Sequence, residues 1–301
     1  MLKAVRAETG FAYLGLILAT IFWAGNIIVA RGVSDSIPPI ALSFWRWFIA
    51  MALILPFTGK SLWAQRQTIR ENWKYLLLLA ALSVGFFNTL LYLSAHTTDA
   101  ANIGLINSSM PVMVALLAWL ALGLVPSRIK VLGIFCALAG MLIIVSKGSL
   151  NRLFGLQLQV GDLFMVLAVL CWSVYSVLLK RHPISLTGLE FLSTQIVLGV
   201  LVIVPLYLTE FLMLGGFSFQ PQHLAPILYV ALFPGLLAYG LWNFGVQRLG
   251  PQSAAMSAYL VPIFVALLAW WLLNETPAIY HLYGAIFILG GIYMASWTRQ
   301  G

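Results

Sequence analysis

Arg46 is the charged side chain that lies deepest inside an apolar stretch of the chain, and Trp45 and Trp47 flank it. A guanidinium group can hold a carboxylate through two parallel hydrogen bonds. The same group can instead donate to backbone carbonyls or stack on the neighbouring indole rings. Because a cation at the centre of an apolar layer costs about 3 kcal/mol, Arg46 needs one of these partners. The sequence leaves both interpretations open, and Arg46 is a candidate ligand-binding residue.

A second set of polar and aromatic side chains lies near the middle of other apolar stretches. Polar groups are costly in an apolar environment unless they are paired, so these side chains should face the protein interior. A lining rich in Trp and Tyr with few fixed charges predicts a site for neutral or zwitterionic molecules with apolar bodies. Hydrogen bonding between helices or aromatic packing is the competing interpretation. The candidates are Trp23, Asn26, Asn88, Tyr92, Asn107, Trp172, Tyr175, Tyr239, Trp242, Asn243 and Tyr259.

Catalytic and metal-binding patterns do not occur in this sequence. The histidines lie at the ends of apolar stretches or between them, and no carboxylate lies in the middle of one. An intramembrane lipid-modifying enzyme would need a nucleophile, a base or a metal set at one depth. No glycine-rich phosphate-binding string is present either, which excludes ATP-driven pumping by this chain alone. We therefore expect no catalytic residue, no metal and no cofactor.

The elements that position these residues follow from composition. Of the 301 residues, 62% are hydrophobic and 8% are charged, against roughly 45–50% and 25% in a soluble domain. So few charges suit a protein whose surface mostly faces lipid, and about 20 helical residues cross the bilayer. We expect an all-α integral membrane fold with ten transmembrane helices. These spans 1 to 10 are predicted near residues 11–33, 38–57, 74–95, 100–123, 129–146, 160–180, 187–208, 224–248, 252–274 and 277–297.

The net charge of +8 is interpreted as an orientation signal. With the N-terminus in the cytoplasm, twelve of the sixteen Lys and Arg residues face inward, while Arg31, Lys147 and Arg152 face outward. Basic residues gather on cytoplasmic loops, so both termini are predicted to be cytoplasmic. No nucleic-acid partner is expected, and short loops without a transit peptide suit a bacterial inner membrane.

An internal repeat is the strongest pattern in the chain. Residues 111–140 and 262–291 align without a gap with twelve identities in thirty, and both contain VALLAW. The unit is five spans, which predicts repeats at 1–150 and 151–301, and an odd number of spans makes the second repeat enter the membrane from the opposite face. Inverted repeats are a common plan of secondary transporters. In this alignment Asn26 falls opposite Tyr175 and Tyr92 opposite Trp242, as expected for a site on a pseudo-twofold axis.

The repeats also resemble the drug/metabolite transporter (DMT) superfamily, specifically its EamA-type ten-helix exporters. That pattern is a small-residue run, a proline, an apolar stretch ending near an acid, and a glycine-bearing helix. Leu124 replaces the acid in the first repeat. Within the superfamily, the chain is most similar to exporters of amino acids, which include YddG-type exporters of aromatic amino acids. The residues that carry the resemblance are Ala100, Ala101, Pro111, Gly133 and Gly140, and Ala254, Ala255, Pro262, Glu275, Gly284 and Gly291.

The resulting expectation is a secondary transporter that exports neutral or aromatic amino acids by alternating access. Pro111 and Pro262 lie within spans 4 and 9, where a proline favours a kink that serves as a hinge or as a static bend. The alternatives are a multidrug or nucleotide-sugar transporter of the same superfamily, a lipid-modifying enzyme and a non-transporting scaffold. No carboxylate lies in the middle of a span, so proton coupling would have to use Asp99, Asp162 or Glu275 at the outer ends of the spans. We therefore favour facilitated, gradient-driven movement of the substrate. The expected partners are a small-molecule substrate and the lipid bilayer, with the chain a monomer or a weak homodimer.

Overall fold

The computed structural model describes residues 2–98, 100–149, 151, 154, 155, 159–273 and 278–296. These residues form helices joined by short connections, with no strand among them. Within these described ranges, eight helices are long and apolar enough to cross a membrane, and two more apolar helices are shorter, which confirms the predicted all-α membrane fold. The helices of the ten spans are Leu2–Val33; Pro39–Ala64; Trp73–Thr97; Ala100–Asn107 with Met110–Leu122; Arg128–Val145; Val160–Arg181; Gly188–Leu214; Pro221–Leu249; Pro251–Met256 with Val261–Leu273; and Ile279–Ser296.

Span 7 shows how local sequence fixes the ends of a helix. Its first turn carries a capping box, in which Glu190 N donates to Thr187 Oγ1 at 3.3 Å and Thr187 N donates to Glu190 Oε2 at 2.8 Å. These bonds use backbone N–H groups that the first turn leaves without helical partners. The helix ends at Gly215, whose φ of 74° is the left-handed conformation that glycine adopts without strain. The span therefore begins where its sequence predicts, and its helix continues to Leu214, beyond the predicted end at residue 208.

Spans 3 and 8 each contain a π-helical segment at the same place in the repeat. These are Ala81–Phe87 and Ala231–Leu237, seven residues each and 150 positions apart. Their sequences, ALSVGFF and ALFPGLL, share the first two residues and the glycine. A π-helical turn inserts one residue into an α-helix and frees carbonyl groups there, and such turns occur often at functional sites.

Spans 4 and 9 are interrupted at matched positions, and this corrects the expected effect of their prolines. In span 4 the helix stops at Asn107 and resumes at Met110, and in span 9 the 3-10 segment Ser257–Leu260 precedes the helix Val261–Leu273. Pro111 and Pro262 therefore lie in the first turn of a new helix, not within a continuous one. A proline there loses no helical hydrogen bond, because the first N–H groups of a helix have no helical acceptor. The irregularity is a break before each proline.

The two halves pack against each other through interfaces that recur in both. Span 1 packs against span 8 and span 6 against span 3, while span 9 packs against span 1 and span 4 against span 6. Spans 2 and 7 form one further pair, and spans 5 and 10 form another. When each span is replaced by its counterpart in the other repeat, the same set of contacts results. This symmetry is expected of two inverted five-helix repeats.

Spans 5 and 10 approach most closely at four glycines. A Cβ built on Gly140 would lie 2.5 Å from the carbonyl oxygen of Gly284, and one on Gly291 would lie 2.5 Å from the carbonyl oxygen of Gly133. Real side chains do not come that close to backbone, so only glycine permits this crossing. The glycine positions that carry the family resemblance are therefore contact points between the two halves.

Candidate functional site

Arg46 lies near the middle of span 2 and is fully buried, with 0% of its surface exposed. Its Nη1 donates to Asn88 Oδ1 at 2.8 Å, to Tyr92 Oη at 3.0 Å and to Asn26 Oδ1 at 3.3 Å. The guanidinium also lies over the ring of Trp47, 4.9 Å from its centroid. Protein groups thus supply the partners that a buried cation needs, so Arg46 is stabilised in this conformation without a ligand.

Hydrogen bonds cross between the halves at both π-helical segments. Arg46 Nη2 donates to the carbonyl oxygen of Pro234 at 2.9 Å. Tyr239 Oη donates to the carbonyl oxygen of Ser83 at 2.9 Å and accepts from Asn88 Nδ2 at 2.7 Å. Carbonyl groups in a π-helical turn are open to side chains because the regular hydrogen-bond ladder is displaced there. A side chain of each half is therefore bonded to the irregular segment of the other half.

Three tryptophans from spans 1, 6 and 8 form the aromatic centre of the molecule. The ring centroids of Trp23 and Trp172 are 5.4 Å apart, those of Trp23 and Trp242 are 5.3 Å apart, and those of Trp172 and Trp242 are 5.4 Å apart. Tyr239 and Phe87 pack on Trp172 at 5.1 and 4.7 Å. Such tilted and edge-to-face contacts are favourable beyond the area they bury. The sequence-predicted tryptophans thus meet at one place, which we call the tryptophan cluster.

The remaining polar candidates form hydrogen-bonded pairs on either side of this cluster. Tyr92 Oη donates to Asn26 Oδ1 at 3.0 Å, which joins spans 3 and 1. Tyr175 Oη donates to Asn243 Oδ1 at 2.5 Å, which joins spans 6 and 8. Asn26 matches Tyr175 in the repeat, and Tyr92 matches the residue just before Asn243. The two Tyr–Asn bonds are therefore approximate counterparts in which the amide and the phenol are exchanged.

Two candidates lie elsewhere. Tyr259 belongs to the 3-10 segment of span 9 and packs in a separate apolar cluster with Ala115 and Met141. Asn107 is the last residue of its helix, directly before the break in span 4, and is partly buried. Whether these two residues contact a substrate stays a prediction, as it does for the other candidates.

The carboxylates that could couple transport to protons occupy helix ends or fall outside the described residues. Asp162 caps span 6, accepting from Gln159 N at 2.8 Å and from Thr98 Oγ1 at 2.6 Å. Asp99 and Glu275 lie outside the described residues. Glu210, near the end of span 7, accepts from the backbone N of Ile40 and of Ala41 at 3.0 and 2.6 Å and so caps span 2. Asp162, the described member of the candidate set, and Glu210 thus act as helix caps.

The sequence candidates do not include Gln195 and Ser83, two buried polar side chains that are bonded to each other. Gln195 is the approximate repeat counterpart of Arg46 and donates from Nε2 to the carbonyl oxygen of Leu76 at 3.3 Å. Its Oε1 accepts from Ser83 Oγ at 3.3 Å. A glutamine in span 7 that aligns with the arginine of span 2 was the available signal.

Comparison with known proteins agrees with this architecture. The chain matches the EamA-like transporter family twice, over residues 10–146 and 159–297. It is 29% identical to an uncharacterized transporter of Archaeoglobus fulgidus, over 94% of this chain and 96% of that protein. It is 25% identical to a probable terminal-alkyne amino-acid exporter of Streptantibioticus cattleyicolor, over 96% and 95% of the two chains. A solved crystal structure has the same fold, with a TM-score of 0.74 at 17% identity, over 96% of this chain and 97% of the other.

The fold and these matches define a multi-pass membrane transporter. This chain belongs to the EamA-like transporter family of the DMT superfamily, as the resemblance of its repeats predicted. Membership implies a small-molecule substrate and a lipid environment.

Proposed function

We propose that this protein exports neutral and aromatic amino acids across a bacterial inner membrane by alternating access, without ATP hydrolysis. The observation that carries the proposal is the tryptophan cluster, which lies between the halves and is bordered by the two matched Tyr–Asn pairs. Aromatic surface with few fixed charges suits zwitterions that carry apolar side chains. The 25% identical relative that is described as a probable amino-acid exporter also supports this substrate class.

Alternating access requires a central site that is closed at both ends in some conformation. Trp172 and Trp242 are 1% and 0% exposed, so these two members of the cluster are enclosed by protein, while Trp23 is partly buried. At one end, Thr98 joins span 3 to Asp162 of span 6. At the other end, Tyr75 Oη donates to the carbonyl oxygen of Leu178 at 2.5 Å and again joins spans 3 and 6. In the proposed cycle, breaking the contacts at one end opens the site to that side.

The proposed function is tested by counterflow in proteoliposomes. Vesicles are loaded with one unlabelled neutral or aromatic amino acid, and entry of labelled tryptophan is followed with and without a pH gradient. We expect faster entry into loaded vesicles than into empty ones, with no dependence on the gradient. Loading with cationic drugs or nucleotide sugars tests the alternative substrates. Folded protein that moves those compounds but no amino acid would contradict the proposal.

Alanine substitutions separate a transporter from a scaffold. We expect Trp172→Ala and Asn243→Ala to abolish counterflow while the protein still reaches the membrane. Trp271→Ala is the matched control, because Trp271 is 76% exposed on the outer surface. Equal flux in all three variants would exclude the tryptophan cluster as the transport site.

A further inference from the structure

Three hydrogen-bond donors in the tryptophan cluster and the bordering Asn243 have no acceptor among the described residues. Trp172 Nε1, Trp242 Nε1 and Asn243 Nδ2 are buried, and none of them has a partner in the described part of the chain. The two indole rings are 5.4 Å apart, and Asn243 is bonded to Tyr175, whose ring lies 5.4 Å from that of Trp172. Most buried polar groups in proteins are paired, so several orphans in one place suggest a missing ligand group.

All three unpaired groups are hydrogen-bond donors. The one acceptor that Asn243 offers, Oδ1, is already bonded to the hydroxyl of Tyr175. Indole N–H groups donate only, and the free side of the Asn243 amide is its NH₂. Two further unpaired donors, Trp47 Nε1 and Arg46 Nε, lie near Tyr239, whose ring contacts both Trp47 and Trp172. The cluster therefore offers hydrogen atoms to a ligand and no free acceptor among the atoms that remain unpaired.

The positive charge of Arg46 also suits a carboxylate ligand. Arg46 is buried in the adjoining network, and its field favours a negative group on the ligand. The described carboxylates that are buried in the spans, Asp162, Glu190 and Glu210, serve as caps at helix ends. A cationic ligand group would meet donors and a buried arginine and would find no counter-charge there.

We propose that the tryptophan cluster binds the carboxylate of the substrate through Trp172 Nε1, Trp242 Nε1 and Asn243 Nδ2, and that it selects carboxylates against amines. This inference rests on the proposed function and specifies how that site recognises its substrate. Arg46 contributes through its field, because both of its Nη atoms donate to protein acceptors. The proposal predicts that a substrate keeps its affinity without its amino group and loses it without its carboxylate.

Three compounds with the same indole body separate the two groups. They are tryptophan, indole-3-propionate, which has only the carboxylate, and tryptamine, which has only the amine. Counterflow of each labelled compound is measured in proteoliposomes, and the shift in melting temperature that each one causes is measured on purified protein. We expect tryptophan and indole-3-propionate to be moved and to stabilise the protein, with tryptamine about tenfold weaker, as expected for the loss of a hydrogen bond to a charged group. Tryptamine equal to or better than indole-3-propionate would overturn the proposal.

Asn243→Asp is the decisive variant, because an aspartate keeps the acceptor for Tyr175 and replaces the amide donor by a negative charge. We expect this variant to bind indole-3-propionate more weakly and tryptamine more strongly than the wild type does, so that the preference for the carboxylate reverses. Trp172→Phe keeps an aromatic ring without the N–H donor, and it provides the test if the aspartate variant does not fold. We expect Trp172→Phe to weaken the binding of both carboxylate compounds, tryptophan and indole-3-propionate, and to leave the binding of tryptamine unchanged. An unaltered preference in these variants would show that the orphan donors are only structural.

The outcomes also separate this inference from the proposed function. If wild-type protein shows no flux of tryptophan but is stabilised by indole-3-propionate and not by tryptamine, amino-acid export fails and carboxylate recognition stands. If tryptophan is moved and the preference for carboxylates is absent, export stands and the inference fails. If none of the three compounds is moved or stabilises the protein, both are rejected.

Discussion

At the scale of single residues, Arg46 shows how a buried charge can hold two halves of a membrane protein together. Its acceptors include Asn88 and Tyr92 of its own half and the backbone of Pro234 in the other half. A planar guanidinium donates in several fixed directions at once, whereas a lysine ammonium is a compact point charge. Arg46 is thus a link between the repeats in addition to any effect on substrate.

We predict that Arg46→Lys destabilises the protein and slows transport. The ammonium cannot reach all of these acceptors, and each buried polar group left unpaired costs about 1–3 kcal/mol. The melting temperature in detergent and the counterflow rate are the measurements. Arg66→Lys is the control, because the bond from Arg66 to the carbonyl oxygen of Trp63 lies on the exposed surface. An unchanged melting temperature for Arg46→Lys would contradict the role as a link.

The sequence predicted the burial of most candidate residues better than it predicted their partners. A charge in the middle of an apolar stretch must face inward, so the burial of Arg46 follows from local sequence. The partners of Arg46 lie up to 188 positions away, and one of them is a backbone carbonyl. No side-chain pattern marks a carbonyl, so the bond to Pro234 could not be anticipated.

At the scale of elements, the matched glycines of spans 5 and 10 offer a sharp test of packing. We predict that Gly291→Ala destabilises the protein, because its Cβ would lie 2.5 Å from the carbonyl oxygen of Gly133 and 2.5 Å from the backbone N of Ala137. Separating two packed helices costs roughly 1–3 kcal/mol. Gly290→Ala is the adjacent control, since nothing lies within 4 Å of its built Cβ. Thermal unfolding of both variants is compared, and equal melting temperatures would show that the helices do not cross at this point.

The breaks before Pro111 and Pro262 lead to a second prediction at this scale. Replacing each proline by alanine favours a continuous helix through the break, because alanine supplies an N–H and has the highest helix propensity. If the breaks are hinges, the double variant Pro111→Ala/Pro262→Ala loses most of its counterflow rate while it still binds substrate. Pro56→Ala is the control, since Pro56 lies inside the unbroken helix Pro39–Ala64. Counterflow equal to that of the wild type, in a folded variant, would identify the breaks as static bends.

At the scale of the whole molecule, hydropathy and the internal repeat were sufficient to predict the architecture. Ten apolar stretches became ten spans because a helix is the structure that pairs its own backbone groups in lipid. Five spans per repeat imply inversion by parity alone, and the recurring contacts, such as span 1 with span 8 and span 6 with span 3, follow from that symmetry. The π-helical segments could not be predicted, because a single inserted residue leaves the apolar pattern of spans 3 and 8 almost unchanged.

Orientation is the remaining property of the whole molecule that the charge pattern predicts, and it is directly measurable. In a Cys136→Ser/Cys171→Ser background, we place one cysteine at Lys60 or at Lys147. Lys60 follows the predicted span 2 on the expected cytoplasmic side, and Lys147 follows span 5 on the expected outer side. Both lysines are exposed. In intact cells, a membrane-impermeant maleimide should label Lys147→Cys and not Lys60→Cys, since twelve basic residues are assigned to the cytoplasmic side and three to the outside. Permeabilised cells, in which both variants should react, are the control. Because parity fixes every span once one is placed, labelling of Lys60→Cys alone in intact cells would reverse the topology of the entire chain.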